Sequence, residues 1–349
     1  MLSTAWITLR GTSWYTTYMQ KLDFVAIGDI TTDAFIALKE ASINCEINRE
    51  TCMLCMRFGD KIPYESVVIV PAVGNSPNAA IAAHRLNLRA ALVTNLGEDA
   101  YGREDIDTLT KEGILTDYVT VHKEKESNYH FVLRYEEERT ILIKHNEYDY
   151  ALPHFEQPPT WLYLSSLGEN SLLFHHDIAT YVAQNKIKLA FQPGTFQIKF
   201  GYEKLKAIYD VTELFFCNKQ EAKRILEMPK EDDIKVLLRA LGERGPKVVI
   251  ITDGPEGANT YDGSEMLHMP MYPDPAPPVD RTGAGDAFSS TFTTARALGY
   301  DVKTALAWGP INSMSVVQFI GAREGLLTQE ELLKYLENAP QDYRPTVLK

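Results

Sequence analysis

Hydrophobic residues in this chain gather into short runs, and the first clear one is Phe24-Val25-Ala26-Ile27, closed by Gly28. A strand buried on both faces has this pattern, because neither side of its sheet meets water. Similar runs recur at 90–94, 161–165, 187–191, 214–216 and 247–252. Between them apolar residues fall at helical spacing: an alanine-rich stretch at 79–88, then 171–184, 203–208, 219–227, 232–242, 287–298 and 302–317. This succession predicts an α/β fold with a doubly wound, mostly parallel sheet flanked by helices. Two regions break the rhythm. Stretches at 53–58 and 66–70 are separated by the turn residues Gly59, Asp60 and Pro63, and stretches at 129–135 and 140–144 are joined by an acidic tip at 136–138. They predict a small β-sheet covering the site. Residues 1–22 mix Trp6, Trp14, Tyr15 and Tyr18 with threonines, lack the apolar core of a signal peptide, and are expected to form a disordered N-terminal extension.

Composition narrows the class of partner. The chain has 349 residues, enough for one large domain with a substantial core. Its formal net charge of −12 and pI near 5.2 argue against nucleic acid or an anionic membrane, both of which favour a basic stripe. A small molecule is the expected partner. No apolar run reaches membrane-spanning length. Four cysteines are too few for a disulfide framework, so a reducing cytoplasm fits. Cys52 and Cys55 form one C-x-x-C with Cys45 nearby, yet no second close pair follows, and buried thiols are expected over a zinc site.

The stretch that carries most chemistry is Asp280-Arg281-Thr282-Gly283-Ala284-Gly285-Asp286-Ala287-Phe288. Phe288, Phe292, Ala295 and Leu298 then form one helical stripe, so the helix begins at the glycines. The first-turn N–H groups of a helix lack intrahelical acceptors and suit an anion. Asp286 falls in that same turn, which places a general base beside an anion hole. The plain alternative is a tight turn with Asp286 as a helix cap. A dinucleotide fingerprint would need glycine at Phe288 and a position near the start of the domain, and Gly-x-x-x-x-Gly-Lys-Ser/Thr is absent.

These nine residues resemble the C-terminal signature of the PfkB-type, ribokinase-like carbohydrate kinases. Gly74-Asn75-Ser76-Pro77-Asn78, the following alanine-rich helix and Gly97-x-Asp99-x-x-Gly102 are similar to the N-terminal signature, although Val73 stands where the family has the first glycine of a pair. The resemblance covers about 23–338, which implies one kinase domain with lid strands from about 35–72 and 129–144 and leaves 339–349 as a C-terminal tail. It implies Asp286 as the base, with the backbone of Gly283, Ala284 and Gly285 stabilising the transferring phosphoryl group. Asp33, spaced from Gly28 as in the family, together with Gly74, Asn75 and Asn78, would bind the acceptor. For the nucleotide it implies Asn218, Thr252, Gly254 and, in the adenine pocket, Asn312; Glu221 would hold Mg²⁺ through water. ATP and Mg²⁺ are the implied cofactors, with a monovalent cation such as K⁺ in view, and in several members the lid also forms a homodimer contact. The implied activity is ATP-dependent phosphorylation of a hydroxymethyl group of a sugar or related polyol, of the ribokinase, fructokinase or ketodeoxygluconate kinase type. Nucleoside kinase, phosphosugar kinase, for which Arg134 and Arg139 are the suggestive cations, and a silent sugar or nucleotide sensor are the alternatives. Gln192-Pro193-Gly194-Thr195 replaces the Asp-x-Asn-like element of many sugar kinases, so ring or carboxylate recognition does not carry over there.

Overall fold

The computed structural model describes residues 21–45, 52–136 and 138–348. Most of the expected N-terminal extension therefore lies outside the described residues. The chain begins with β1 (Phe24–Ile27), β2 (Thr31–Leu38), β3 (Ser42–Cys45), β4 (Cys52–Cys55) and β5 (Tyr64–Val73) before α1 (Asn75–Arg85). There follow β6 (Ala90–Gly97), α2 (Ala100–Lys111), β7 (Val119–His122), β8 (Tyr129–Tyr135) and β9 (Glu138–Leu142). Alternation then becomes regular through β10 (Trp161–Leu164), α3 (Leu172–Asn185), β11 (Lys188–Phe191), α4 (Thr195–Phe200), α5 (Tyr202–Val211), β12 (Thr212–Asn218), α6 (Lys219–Ile225), α7 (Ile234–Gly242) and β13 (Val248–Thr252). The last part holds β14 (Ala258–Tyr261), β15 (Met266–Met269), α8 (Ala284–Ala297), α9 (Val302–Val316), α10 (Gln329–Glu337) and β16 (Thr346–Val347).

The main sheet has ten strands in the order β16-β15-β14-β13-β12-β11-β10-β1-β6-β7. From β7 to β13 all neighbours run parallel, and β14, β15 and β16 extend the edge antiparallel. Side chains alternate across this sheet, so each apolar run feeds two cores. Phe24, Ala26, Trp161 and Tyr163 pack with α1, α8 and α9, whereas Val25, Ile27, Leu162 and Leu164 pack with α3, α5 and α7. The chain runs from β1 out to β6 and β7, then returns to the other side of β1 with β10. That reversal opens a crevice at the carboxyl ends of the strands, where open α/β sheets bind ligands.

A second sheet, in the order β5-β2-β8-β9, stands over the crevice. Asp33 is therefore a residue of β2 rather than of a loop after the first strand. Register sets it beside His130 on β8 and Val70 on β5. The next residue, Ala34, is paired with Ile69 and Phe131, and Phe131 with Leu142. The pleat sends this second set to the opposite face, where Ile69, Phe131 and Leu142 are exposed.

Two expectations are corrected. Residues 339–348 do not trail away: Tyr343 is buried, donates to Ala307 O at 2.5 Å and packs on Tyr272, and β16 pairs with β15. The cysteine cluster is not a set of buried thiols. β3 and β4 form an uncovered two-stranded ribbon in which Cys45 and Cys52 pair in register and form a disulfide, with Cys55 part-exposed. Only Cys217 is a buried thiol among the described cysteines.

Candidate active site

Two cavities meet at the start of α8. The first, about 470 Å³, lies under the small sheet; the second, about 490 Å³, lies between the loop after β13 and α9. Asn218, Thr252, Arg281, Gly285 and Phe288 line both. Gly283 caps α8 at φ 80°, a left-handed conformation, and a Cβ there would collide with Ala322. The cap position thus belongs to Gly283, and the reading of Asp286 as a helix cap fails.

The Asp286 carboxylate is held by three side-chain amides. Asn75 Nδ2 and Gln192 Nε2 donate to Oδ1 at 2.7 and 3.1 Å, and Asn78 Nδ2 donates to Oδ2 at 2.9 Å. A carboxylate has about four lone-pair directions, so about one remains for an acceptor hydroxyl. Burial pushes the Asp286 carboxyl above its usual range, opposed by the bonds from Asn78, Gln192 and Asn75 and by the Arg139 charge. Gln192 is itself fixed, because its Oε1 accepts from Tyr163 Oη and from Ser289 Oγ at 3.0 Å. Tyr163 is fully buried and its hydroxyl is pushed well up by burial and then by the Asp286 charge, so it stays a donor. A base raised above the usual carboxylate range but still pinned by donors is suited to accepting a proton without losing its place.

α1 supplies two of these amides because Gly74 caps it at φ 121°, which starts the helix at Asn75. One helical turn then brings Asn75 and Asn78 to the same face. Asn78 is an interior helix residue and not a cap. At the other wall, Asn218 Oδ1 accepts from Glu221 N at 2.8 Å and Glu221 Oε2 accepts from Asn218 N at 2.9 Å. This capping box holds the Glu221 carboxylate on the first cavity, where burial raises it above its usual range.

The pfkB family carbohydrate kinase model matches residues 40–329. The chain belongs to the pfkB family of carbohydrate kinases. As a pfkB kinase it transfers a phosphoryl group to an alcohol acceptor. It is 28% identical to a ribokinase of Bacillus subtilis over 80% of this chain and 92% of that protein. It is 25% identical to a nucleoside kinase of Methanothermobacter thermautotrophicus over 78% and 87% of the two chains. Among solved structures, Arabidopsis thaliana ribokinase complexed with ribose and ATP superposes with a TM-score of 0.76 at 19% identity, over 91% of this chain and 99% of that one.

In this pfkB kinase the crevice brings together Asp33, Gly74, Asn75, Asn78, Asn218, Glu221, Thr252, Gly283, Gly285 and Asp286, and the second cavity adds Gly254 and Ala284. Asn312 is the exception. It is fully buried, donates to Thr291 Oγ1 at 2.8 Å and accepts from Leu327 N at 2.9 Å, so it braces α9 against its neighbours. Ser313, one helical step further, lines the second cavity instead. Sequence reasoning missed Gln192, whose signal was its place directly after a parallel strand, and the part of Asn75 in holding Asp286. It also missed His130 and His145 on the first cavity.

Proposed function

We propose that this chain is an ATP-dependent kinase that phosphorylates a hydroxymethyl group of a sugar or a related polyol such as a nucleoside. The observation that carries the reading is Asp286, pinned by three amides at the helix N-terminus where two cavities join. The acceptor occupies the cavity under the small sheet and the nucleotide the other. Asp286 takes the proton of the acceptor hydroxyl, the hydroxyl oxygen bonds to the γ-phosphorus, and the bond from that phosphorus to the β–γ bridging oxygen breaks to leave ADP. The N–H groups of the first turn of α8 face the phosphoryl oxygens as charge builds on them.

Among the described residues no three His, Cys, Asp or Glu gather to hold a metal. Mg²⁺ usually keeps several waters and is bound through one or two carboxylates and the substrate phosphates, and Glu221 on the first cavity, beside Asn218, fits that arrangement. When bound, Mg²⁺ neutralises phosphate charge. We assign no residue to a monovalent cation; rates in K⁺ and in choline buffers test that requirement.

Phosphosugar acceptors are less well served, since Arg134 is engaged with Val279 O at 3.1 Å. The exposed apolar face carrying Ile69, Phe131 and Leu142 supports a homodimer through the small sheet, and Ile69→Asp is expected to yield monomers in sedimentation. A cytoplasmic location belongs to the same proposal. No helix among the described residues is long and apolar enough to cross a membrane, while the Cys45–Cys52 disulfide argues the other way. The functional test is ADP release with an acceptor panel, repeated with Asp286→Asn. That variant is expected to fold, bind ATP and lose roughly 10²- to 10⁴-fold in kcat. Retention of more than about a tenth of the wild-type rate would remove Asp286 as the base.

A further inference from the structure

The acceptor end of the first cavity carries two aspartate–histidine pairs. Asp29 follows β1 and is buried; Tyr150 Oη lies 3.0 Å from both of its oxygens, and His145 Nδ1 lies 3.3 Å from Oδ2. Burial and the neighbouring Asp29 charge push the Tyr150 hydroxyl far up, so it remains a donor to Asp29. Tyr150 is placed in turn by the Gly168 N–H, which donates to its oxygen at 3.0 Å. His145 stands edge-on to Phe196, with ring centroids 5.6 Å apart. A carboxylate oxygen accepts, so the Asp29 contact favours the tautomer with the hydrogen on His145 Nδ1, which has its lone pair on Nε2.

The second pair comes from the small sheet. His130 Nδ1 lies 3.4 Å from Asp33 Oδ1, and its ring is 5.2 Å from that of His145. Two buried polar atoms at this end, Asn78 Oδ1 and His130 Nε2, make no hydrogen bond, and Asp33 Oδ1 has only the long contact to His130. Buried groups of this kind are costly unless a partner arrives, and all three belong to residues on the cavity wall. Hydroxyl groups of a bound ligand would supply such partners.

We propose that His145 and His130 are acceptor-positioning residues, each oriented by its own aspartate, and that they select an uncharged polyol whose hydroxyls reach their Nε2 atoms. The inference rests on the kinase reading above and adds the class of acceptor. Asp29 and Asp33 line this end together with the two rings, so a carboxylate or phosphate here would face two acids. Arg139, the small sheet's guanidinium on this wall, lies close enough to Asp286 to act on its ionisation and so belongs to the transfer end.

The two imidazole nitrogens separate a binding role from a bracing one. Asparagine can reproduce the Nδ1–H that meets Asp29, and glutamine places a polar group near Nε2. ADP release is measured with D-ribose, D-fructose, myo-inositol, cytidine, D-gluconate and fructose 6-phosphate, for the wild type and for His145→Asn, His145→Gln, His130→Asn and His130→Gln. The expected result is turnover of an uncharged acceptor, with its KM raised about ten-fold in the asparagine variants and within about three-fold in the glutamine variants, as for one hydrogen bond lost or kept. The KM for ATP is expected to be unchanged. Asparagine variants that match the wild type while glutamine variants fail would make both rings braces and overturn the inference alone. Equal shifts in both KM values, or preference for D-gluconate or fructose 6-phosphate, would also overturn it. A folded wild type that releases no ADP with any of the six would overturn the kinase reading, and the inference with it.

Discussion

Asp105→Asn is expected to gain stability relative to the wild type as pH rises from acid to neutral, and to exceed it at neutral pH and above. Asp105 is a fully buried residue of α2, and its Oδ1 accepts from Thr32 Oγ1 at 3.0 Å and from Ala72 N at 2.7 Å. It thereby ties together β2 and β5, two of the four strands of the small sheet. Ala72 sits at φ 55°, a conformation rare for a residue with a side chain, and this bond helps to hold it. Oδ2 is buried without a partner. Burial raises the carboxyl from 3.8 to about 7, the two donors oppose it, and Glu104 and Asp99 add to it. Below pH 3.8 both folded and unfolded chains keep the proton, and the stabilisation from Asp105 is fully present. Between 3.8 and about 7 the unfolded chain has released a proton that the folded chain retains, so stability falls as pH rises. Over this span of about three units, at 1.36 kcal/mol each, the loss approaches roughly 4 kcal/mol. Asparagine keeps the Oδ1 acceptor and never ionises, but its amide donors enter a buried position at a cost of about 1–3 kcal/mol. The variant should therefore be equal to or slightly less stable than the wild type near pH 4 and more stable by about 1–3 kcal/mol at pH 8. Melting curves of the two proteins at pH 5, 6, 7 and 8 provide the check, because titrations of groups that do not interact with Asp105 cancel in the difference. A difference that stays constant with pH, or that turns against asparagine as pH rises, would refute the reasoning.

Three further outcomes are expected. Asp33→Ala should raise the acceptor KM far more than the ATP KM, since a hydrogen bond to a charged group contributes about 1.5–3 kcal/mol; equal effects would make Asp33 structural. Glu221→Gln should move the Mg²⁺ titration of activity to higher concentration, and an unaltered titration would take that residue out of the metal's surroundings. Tyr343→Ala should lower unfolding stability by about 3 kcal/mol in a urea titration, whereas a loose C-terminal tail would give almost no change.

What could be read in the sequence was local. The runs at Phe24–Ile27 and Trp161–Leu164 are buried on both faces, so their composition alone announces a covered parallel sheet. Gly283 and Gly74 mark positive-φ caps, and each cap fixes where a helix starts and which of its residues face the crevice. What the sequence left open were phases and partners at long range. Gln192 reaches Asp286 across 94 positions, a pairing no spacing rule encodes. Asn312 and Ser313 differ by one step of about 100° around a helix, enough to exchange a cavity wall for the core. Thr346–Val347 is too short to show a period, and only the open edge of β15 makes it a strand. The cysteine ribbon was misjudged because composition says nothing of whether a second layer will cover a hairpin.

The setting of Asp286 also has a consequence for the ionic environment. Its nearest fixed partners are the side-chain amides of Asn75, Asn78 and Gln192, which carry dipoles and no net charge. Mobile ions screen charges effectively, but they have little purchase on short dipolar contacts inside a crevice. Had lysine or arginine held this carboxylate, each rise in salt would loosen the base and shift its ionisation. Built from amides, the proton acceptor keeps its hold across a wide range of ionic strength, and salt reaches its ionisation only through the more distant Arg139 charge.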